Sequence, residues 1–173
     1  DAMAQSFGAA FDLPVVVARP FNTYGPRQSL RAVIPAVIMQ ILRGQTEIRI
    51  GDLSPTRDLN FISDTVKAFL LIAQTNGVIG EVINIGSGCE TPIARVIDVI
   101  QDAMGTKLPL VQENERLRPE TSEVFRLVCD NTKLRLLTDF APEVTLDEGI
   151  QRTVDWFSLP EVAQSYSGSG YAV

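Results

Sequence analysis

Histidine is absent from the 173 residues. That excludes histidine-based triads and histidine metal sites, so any general base must be another residue type. Cysteine is scarce. Cys89 and Cys129 stand far apart with no CxxC between them, the pattern of free thiols in a reducing cytoplasm rather than of a disulfide framework. Positive charge is also short: the net charge is -6 and the pI is near 4.7. Nonspecific nucleic-acid binding needs a basic face, so nucleic acid is not expected as a partner, although a local basic pocket remains open. No apolar run approaches the length of a transmembrane helix, so no membrane partner is expected either. Internal repeats are missing as well.

What is present is a globular composition with 45% apolar residues, enough for one sizeable core. Helical and strand patterns alternate along the chain, which predicts an α/β fold. The opening DAMAQSFGAAF reads as helix from its first residue, with Met3, Phe7, Ala10 and Phe11 on one stripe. A helix that opens at residue one, with no initiator Met, is the expectation for a piece of a longer protein. Residues 13–18, LPVVVA, are continuously apolar and predict a strand buried on both faces. Residues 31–43 carry a helical stripe of Val33, Ile34, Val37, Ile38, Ile41 and Leu42 that Gly44 ends. Short strands are predicted over 47–50, 60–62, 80–86, 108–112 and 125–130. Asp64 is the expected N-cap of a helix reaching residue 74, with Val66, Phe69, Leu70 and Ala73 inward. Thr91 and Pro92 open another helix, with Ile93, Val96, Ile97 and Ile100 inward. A short helix is expected over 131–137. TLDE, residues 145–148, matches a capping box and starts a helix through Phe157.

Three strand-end loops hold the polar residues that could do chemistry. RPFNTYGPR, residues 19–27, offers Asn22, Thr23, Tyr24 and Arg27. GDLSPTRD, residues 51–58, offers Asp52, Ser54, Thr56, Arg57 and Asp58. Residues 113–123 offer Arg116, Arg118 and Glu120. Ligands of open α/β sheets sit beyond the carboxyl ends of the strands, and arginine forks suit phosphate. A plainer reading stands beside this one: Arg57 pairs with Asp58 or Asp52, and Arg118 with Glu120 or Glu123, as solvated surface pairs. GSGCE, residues 86–90, is glycine-rich but is not GxGxxG and has no P-loop lysine, so it reads as a turn rather than a phosphate cradle.

Five motifs in order give a resemblance. ARPFNTYGPRQS, GDLSPTRDLNFISDT, EVINIGSG, RPETSEVFRLVCDNTKLR and a final helix ending in DWF resemble the C-terminal half of the extended short-chain dehydrogenases/reductases. These are the NAD-dependent nucleotide-sugar epimerases and dehydratases. Within them the motifs are most similar to UDP-N-acetylglucosamine 4,6-dehydratases of nonulosonic (legionaminic-type) acid pathways, which serve cell-surface polysaccharide synthesis. The resemblance implies the last parallel strands of a Rossmann-type NAD(P)-binding fold followed by a small mixed α/β substrate-binding domain. It implies that residues 1–30 are a remnant of the cofactor domain, 31–157 mainly the substrate domain with some strands returning to the main sheet, and 158–173 a tail. It also implies roles. Asn22 contacts the sugar diphosphate, Arg57 and Arg118 clamp it, and Asn84 supports that site. Backbone groups at Ile34 and Pro35 meet the nucleotide base, and Pro20 and Phe21 lie beside the nicotinamide end of NAD.

The departures from the family pattern matter equally. This sequence contains neither the glycine-rich cofactor turn nor Tyr-x-x-x-Lys; Tyr24, Tyr166 and Tyr171 are not followed by a lysine at that spacing. For a full-length parent the resemblance implies that NAD takes a hydride from sugar C4, water leaves across C5 and C6, and the hydride returns at C6. This chain alone is expected to grip a nucleotide-diphosphate sugar, a UDP-sugar in particular, and neither to hold NAD by itself nor to catalyse. The alternative is a non-catalytic, truncated nucleotide-binding or protein-interaction module. A homodimer through the Met3/Phe7/Phe11 stripe is expected in the cytoplasm.

Overall fold

The computed structural model describes residues 1–113 and 124–166. Along the chain the first elements are α1 (Ala2–Phe11), β1 (Val17–Pro20), β2 (Asn22–Tyr24), α2 (Val33–Leu42), β3 (Ile48–Ile50) and β4 (Thr56–Phe61). Then come α3 (Ile62–Gln74), β5 (Val82–Ile85), β6 (Glu90–Pro92), α4 (Ile93–Ala103) and β7 (Leu110–Gln112). The last are β8 (Arg126–Leu127), α5 (Thr132–Thr138), α6 (Leu146–Phe157) and α7 (Pro160–Tyr166). Among the described residues no helix is long and apolar enough to cross a membrane. The chain divides into two units that alternate along the sequence: Asp1–Thr23, Asp58–Cys89 and Val128–Val144 form one, and Tyr24–Arg57, Glu90–Leu127 and Thr145–Val173 the other.

The first unit is built on a parallel pair, β1 with β5, in the register Val17↔Val82 through Pro20↔Ile85. Ala68 and Ile72 of α3, Val78 in the loop after it, Ile83 and Ile85 of β5, Leu134 of α5, and Phe140 make one buried cluster. The expected strand over 13–18 begins later. Pro14 has no N–H to give, the Val15 N–H turns back to the Leu13 carbonyl at 2.8 Å, and the partner strand starts only at Val82. Val15 to Ala18 are half-buried and Leu13 is exposed, because β5 is the one strand paired with β1 among the described residues. Burial on both faces is therefore not observed.

Helix α3 also departs from its expected register. It starts at Ile62 with Phe61 at the N-cap, so Asp64 lies inside the first turn rather than at the cap. Its inward face is Asp64, Thr65, Ala68 and Ile72, whereas Val66, Phe69, Leu70 and Ala73 are exposed. The polar pair can turn inward because Asp64 finds partners there: its carboxylate accepts the N–H groups of Glu143 and Val144, both at 3.1 Å. Helix α1 buries no residue at all. Met3 is 76% exposed, and the neighbouring Phe7 and Phe11 rings stack on each other at 5.4 Å in the open.

In the second unit α2, α4 and α6 pack against one another. Ile34, Val37 and Ile38 of α2, Ile93, Val96, Ile97 and Ile100 of α4, and Ile150, Val154 and Phe157 of α6 are buried, as the i, i+3, i+4 stripes predict. Leu42 is the exception, exposed at the end of α2. The short parallel pair β3–β7 runs in the register Ile48↔Leu110 to Ile50↔Gln112. Buried Gln40 locks α2 to β3: its carbonyl oxygen accepts the Arg49 N–H at 2.8 Å and its amide donates to the Arg49 carbonyl at 3.1 Å. Pro92 sits at the N-cap of α4 rather than at its first helical position, so the helix starts one residue later than expected, because Glu90–Pro92 is spent as strand β6. At α6 the Thr145 half of the expected capping box forms, its hydroxyl accepting the Glu148 N–H at 3.3 Å, while the Glu148 carboxylate accepts from Arg152.

Candidate functional site

In the first unit, the carboxyl ends of β1 and β5 gather four of the residues singled out in the sequence. The strands run parallel, so they deliver their following residues to the same end. Arg19 lies opposite Asn84 and Pro20 opposite Ile85, and the Phe21 N–H continues the ladder to the Ile85 carbonyl at 2.8 Å. Pro20 is exposed; Phe21, Asn22 and Asn84 are half-buried. The Asn22 amide donates to the Asp58 carbonyl and the Asn84 amide to the Asp130 carbonyl, each at 3.4 Å. Thr23 leads inward, its hydroxyl 3.1 Å from that of Thr65. Thr65 in turn accepts from the Asn60 amide at 2.8 Å.

Beneath this edge lies Asp58, expected either among the polar loop residues of 51–58 or as a solvated surface partner of Arg57. Asp58 is 0% exposed, yet both its oxygens are bonded. One accepts the Ser87 N–H at 2.9 Å and the Ser87 hydroxyl at 2.7 Å. The other accepts the Gly88 N–H at 2.8 Å and the Cys129 N–H at 3.1 Å. An anion so deep in the protein is tolerable only because donors replace its water. The turn at 86–88 therefore gives its N–H groups at Ser87 and Gly88 to a carboxylate of the protein itself, which agrees with its reading as a turn and leaves those donors unavailable to a phosphate. Asn131 holds the same turn from its other side, donating to the Gly86 carbonyl at 2.9 Å. Cys129 is buried in this cluster, and burial, with Asp58 and Asp130 nearby, pushes its thiol up to about 12. It stays protonated and inert at neutral pH, whereas Cys89 is exposed.

The second unit holds the other predicted contacts. Arg57, half-buried, lies on β4 opposite Leu127 of the parallel strand β8. Its guanidinium donates to the carbonyls of Thr56 at 2.9 Å and Val124 at 2.5 Å. Next to it Arg126 grips both carboxylate oxygens of Glu90, at 2.9 and 3.3 Å, and the Thr56 hydroxyl adds a bond to Glu90 at 3.0 Å. Arg126 and then Thr56 hold the Glu90 carboxyl below the usual range. Asp52 is likewise held low, by the N–H and hydroxyl of Ser54. Ile34 and Pro35 are buried in the first turn of α2, so only backbone groups there can meet a ligand. Tyr24 is buried, its hydroxyl donating to the Leu146 carbonyl at 3.4 Å. Arg27 is exposed in a left-handed conformation with φ of 67°. Arg118, with Arg116 and Glu120, lies outside the described residues. Among the described residues no group of three or more Cys, Asp or Glu side chains is gathered to hold a metal ion.

The sequence had no local signal for the Asp58 cluster. Its donors come 29 and 71 residues later in the chain. The signal that was available was a doublet: two glycines flanking a serine just after a strand, where a turn must approach another segment closely. Gly86 meets that description, since a Cβ there would stand 2.4 Å from the Cβ of Cys129.

Known proteins echo this architecture. Residues 1–153 match the family model described as GDP-mannose 4,6 dehydratase. A putative UDP-glucose 4-epimerase of Methanocaldococcus jannaschii is 31% identical over 153 residues, covering 87% of this chain and 48% of that protein. An epimerase structure from Methanothermobacter thermautotrophicus superposes with a TM-score of 0.85 at 30% identity, over 95% of this chain and 49% of that one. UDP-glucuronic acid 4-epimerase from Bacillus cereus, solved in complex with UDP-glucuronic acid and NAD, gives a TM-score of 0.82 at 26% identity, over 95% and 50% of the two chains. The chain spans about half the length of the relatives it matches.

Proposed function

Because this chain belongs to the GDP-mannose 4,6-dehydratase family of nucleotide-sugar epimerases and dehydratases, we propose that it is the nucleotide-sugar-binding half of an NAD-dependent enzyme of that kind. The observation that carries this reading is the convergence of Pro20, Phe21, Asn22 and Asn84 at the carboxyl ends of β1 and β5. Asn22 contacts the sugar diphosphate through its amide, and Asn84 supports that site. Arg57 and Arg118 supply its charge-assisted clamp, worth most where water is excluded. Backbone groups at Ile34 and Pro35 receive the base. Residues 1–30 are the remnant of the cofactor domain, and residues 31–157 are mainly the substrate domain, with some strands returning to the main sheet.

NAD, bound by the full-length parent, supplies hydride uptake and return. Pro20 and Phe21 flank its nicotinamide end; the turn at 86–88 is not assigned to its diphosphate, since Asp58 takes that turn's donors. The finer assignment is a UDP-sugar, with UDP-N-acetylglucosamine 4,6-dehydration as the reaction of the parent. A likeness to proteins solved with UDP-sugars supports the nucleotide. The unpaired thiols of Cys89 and Cys129 support a reducing, cytoplasmic setting. A second copy of the chain covers the exposed Met3, Phe7 and Phe11 of α1, making a homodimer.

Calorimetric titration with UDP and UDP-N-acetylglucosamine tests the reading. Both bind, and Asn22→Ala, Arg57→Ala and Arg118→Ala each weaken UDP by about tenfold or more, as expected for a lost bond to a charged group. Heat of UDP binding that none of the three changes would refute the assigned contacts. A folded chain with no affinity for UDP would leave an interaction module.

A further inference from the structure

We propose that Asp58 is a positioning residue for the nucleotide-sugar site: its buried carboxylate fixes the segments that carry Asn22 and Asn84. This rests on the reading of Asn22 and Asn84 as residues of that site. Neither the sequence patterns nor the family likeness assigns the aspartate such a task. The bonds do. Through its carboxylate Asp58 holds Ser87 and Gly88 on one side and Cys129 on the other. Through its own carbonyl it accepts the Asn22 amide. Asn84 stands two residues before Gly86, and its amide is received by Asp130, the residue after Cys129. One side chain thus joins three stretches of chain; the Asn22 amide is received by the Asp58 carbonyl itself, and the Asn84 amide by that of Asp130, beside the bonding partner Cys129.

The cluster has no slack in which to absorb a change. The Gly86 Cα presses on Cys129 so closely that a Cβ would be 2.4 Å from the Cys129 Cβ and 3.1 Å from the Asp58 carboxylate. Gly88 sits at φ of 78° with Asn131 within 3.1 Å of where its Cβ would be. An asparagine at 58 would keep one acceptor oxygen but put an NH2 against N–H donors that point inward. The turn would then have to move away, and with it the strand end that bears Asn84.

The same unit provides its own control. Asp64 is also buried and also receives two backbone N–H groups, but those belong to Glu143 and Val144. A purely structural role predicts that Asp58→Asn and Asp64→Asn act alike. The positioning role predicts that they part. The measurement is the pair of side-chain amide signals of Asn22 and Asn84 in nitrogen–proton spectra of the ligand-free chain, followed by UDP titration. Asp58→Asn shifts or broadens both signals and weakens UDP by about tenfold or more, while Asp64→Asn leaves both signals in place. If Asp58→Asn fails to fold, Ser87→Ala decides: it removes the 2.7 Å hydroxyl bond to Asp58, along with the local bonds of that hydroxyl to the Cys89 N–H and carbonyl, and it must still shift the Asn84 signal. Unmoved amide signals in the folded variant, or equal movement in Asp64→Asn, overturn the proposal. If UDP moves neither signal in the unsubstituted chain, the ligand-contact reading fails instead, and the ligand-free spectra still decide what Asp58 holds.

Discussion

The two units use their amphipathic helices in opposite ways. In the unit of α2, α4 and α6 the apolar stripes face one another, and Ile34, Val96, Ile97 and Ile150 are fully shielded. In the unit of β1 and β5, α1 shields nothing and α3 turns Val66, Phe69 and Leu70 outward while Asp64 and Thr65 go in. An apolar stripe therefore says that a face is suited to burial. Whether it is buried depends on what else the chain brings to it, and here one unit brings three helices to a common centre while the other leaves a face open.

This contrast can be attacked by substitution. The largest effect belongs to the closed unit. Ile97→Ala, at a site with 0% exposure, costs about 2–5 kcal/mol, the range for an aliphatic side chain removed from a filled core. Urea unfolding followed by the fluorescence of Trp156, the single tryptophan, reads this directly from α6. Next comes the helix start in the same unit. Thr145→Ala removes the one observed side-chain cap of α6 and costs about 1 kcal/mol in the same assay. The smallest effect belongs to the open face. Phe69→Ser, at 43% exposure, changes stability by less than about 0.5 kcal/mol when measured by circular dichroism at low protein concentration. A cost there approaching that of Ile97→Ala would mean that the face is covered in solution, and the contrast between the units would fall.

Much of the closed unit was legible beforehand, because its signals are local. The stripe of α4 and the Thr145 cap of α6 each lie within a turn or three of helix, and both formed as read. The open unit was harder. Nothing near Asp64 tells of Glu143 and Val144, whose N–H groups draw it inward and rotate the helix by about a residue. The start of β1 was misjudged for a similar reason, since its pairing is decided by Val82, 65 residues on. Of the candidate site, Pro20, Phe21, Asn22 and Asn84 were named from motifs and do share one edge. Asp58 was noticed for its charge and mistaken for a surface partner, because its three donor residues are scattered over two later segments.

The alternation of the two units along the chain has a consequence for how the protein is made. The first unit is complete only when Val144 has been added, since Val128–Val144 supplies Cys129, Leu134 and Phe140. By then residues 24–57 and 90–127 of the other unit have already been synthesised, ahead of α6. Neither unit can finish as a vectorial, one-after-the-other product, and each must keep its early segments from sticking until the late ones arrive. Nascent chains stalled before residue 128 should therefore be the most dependent on chaperones.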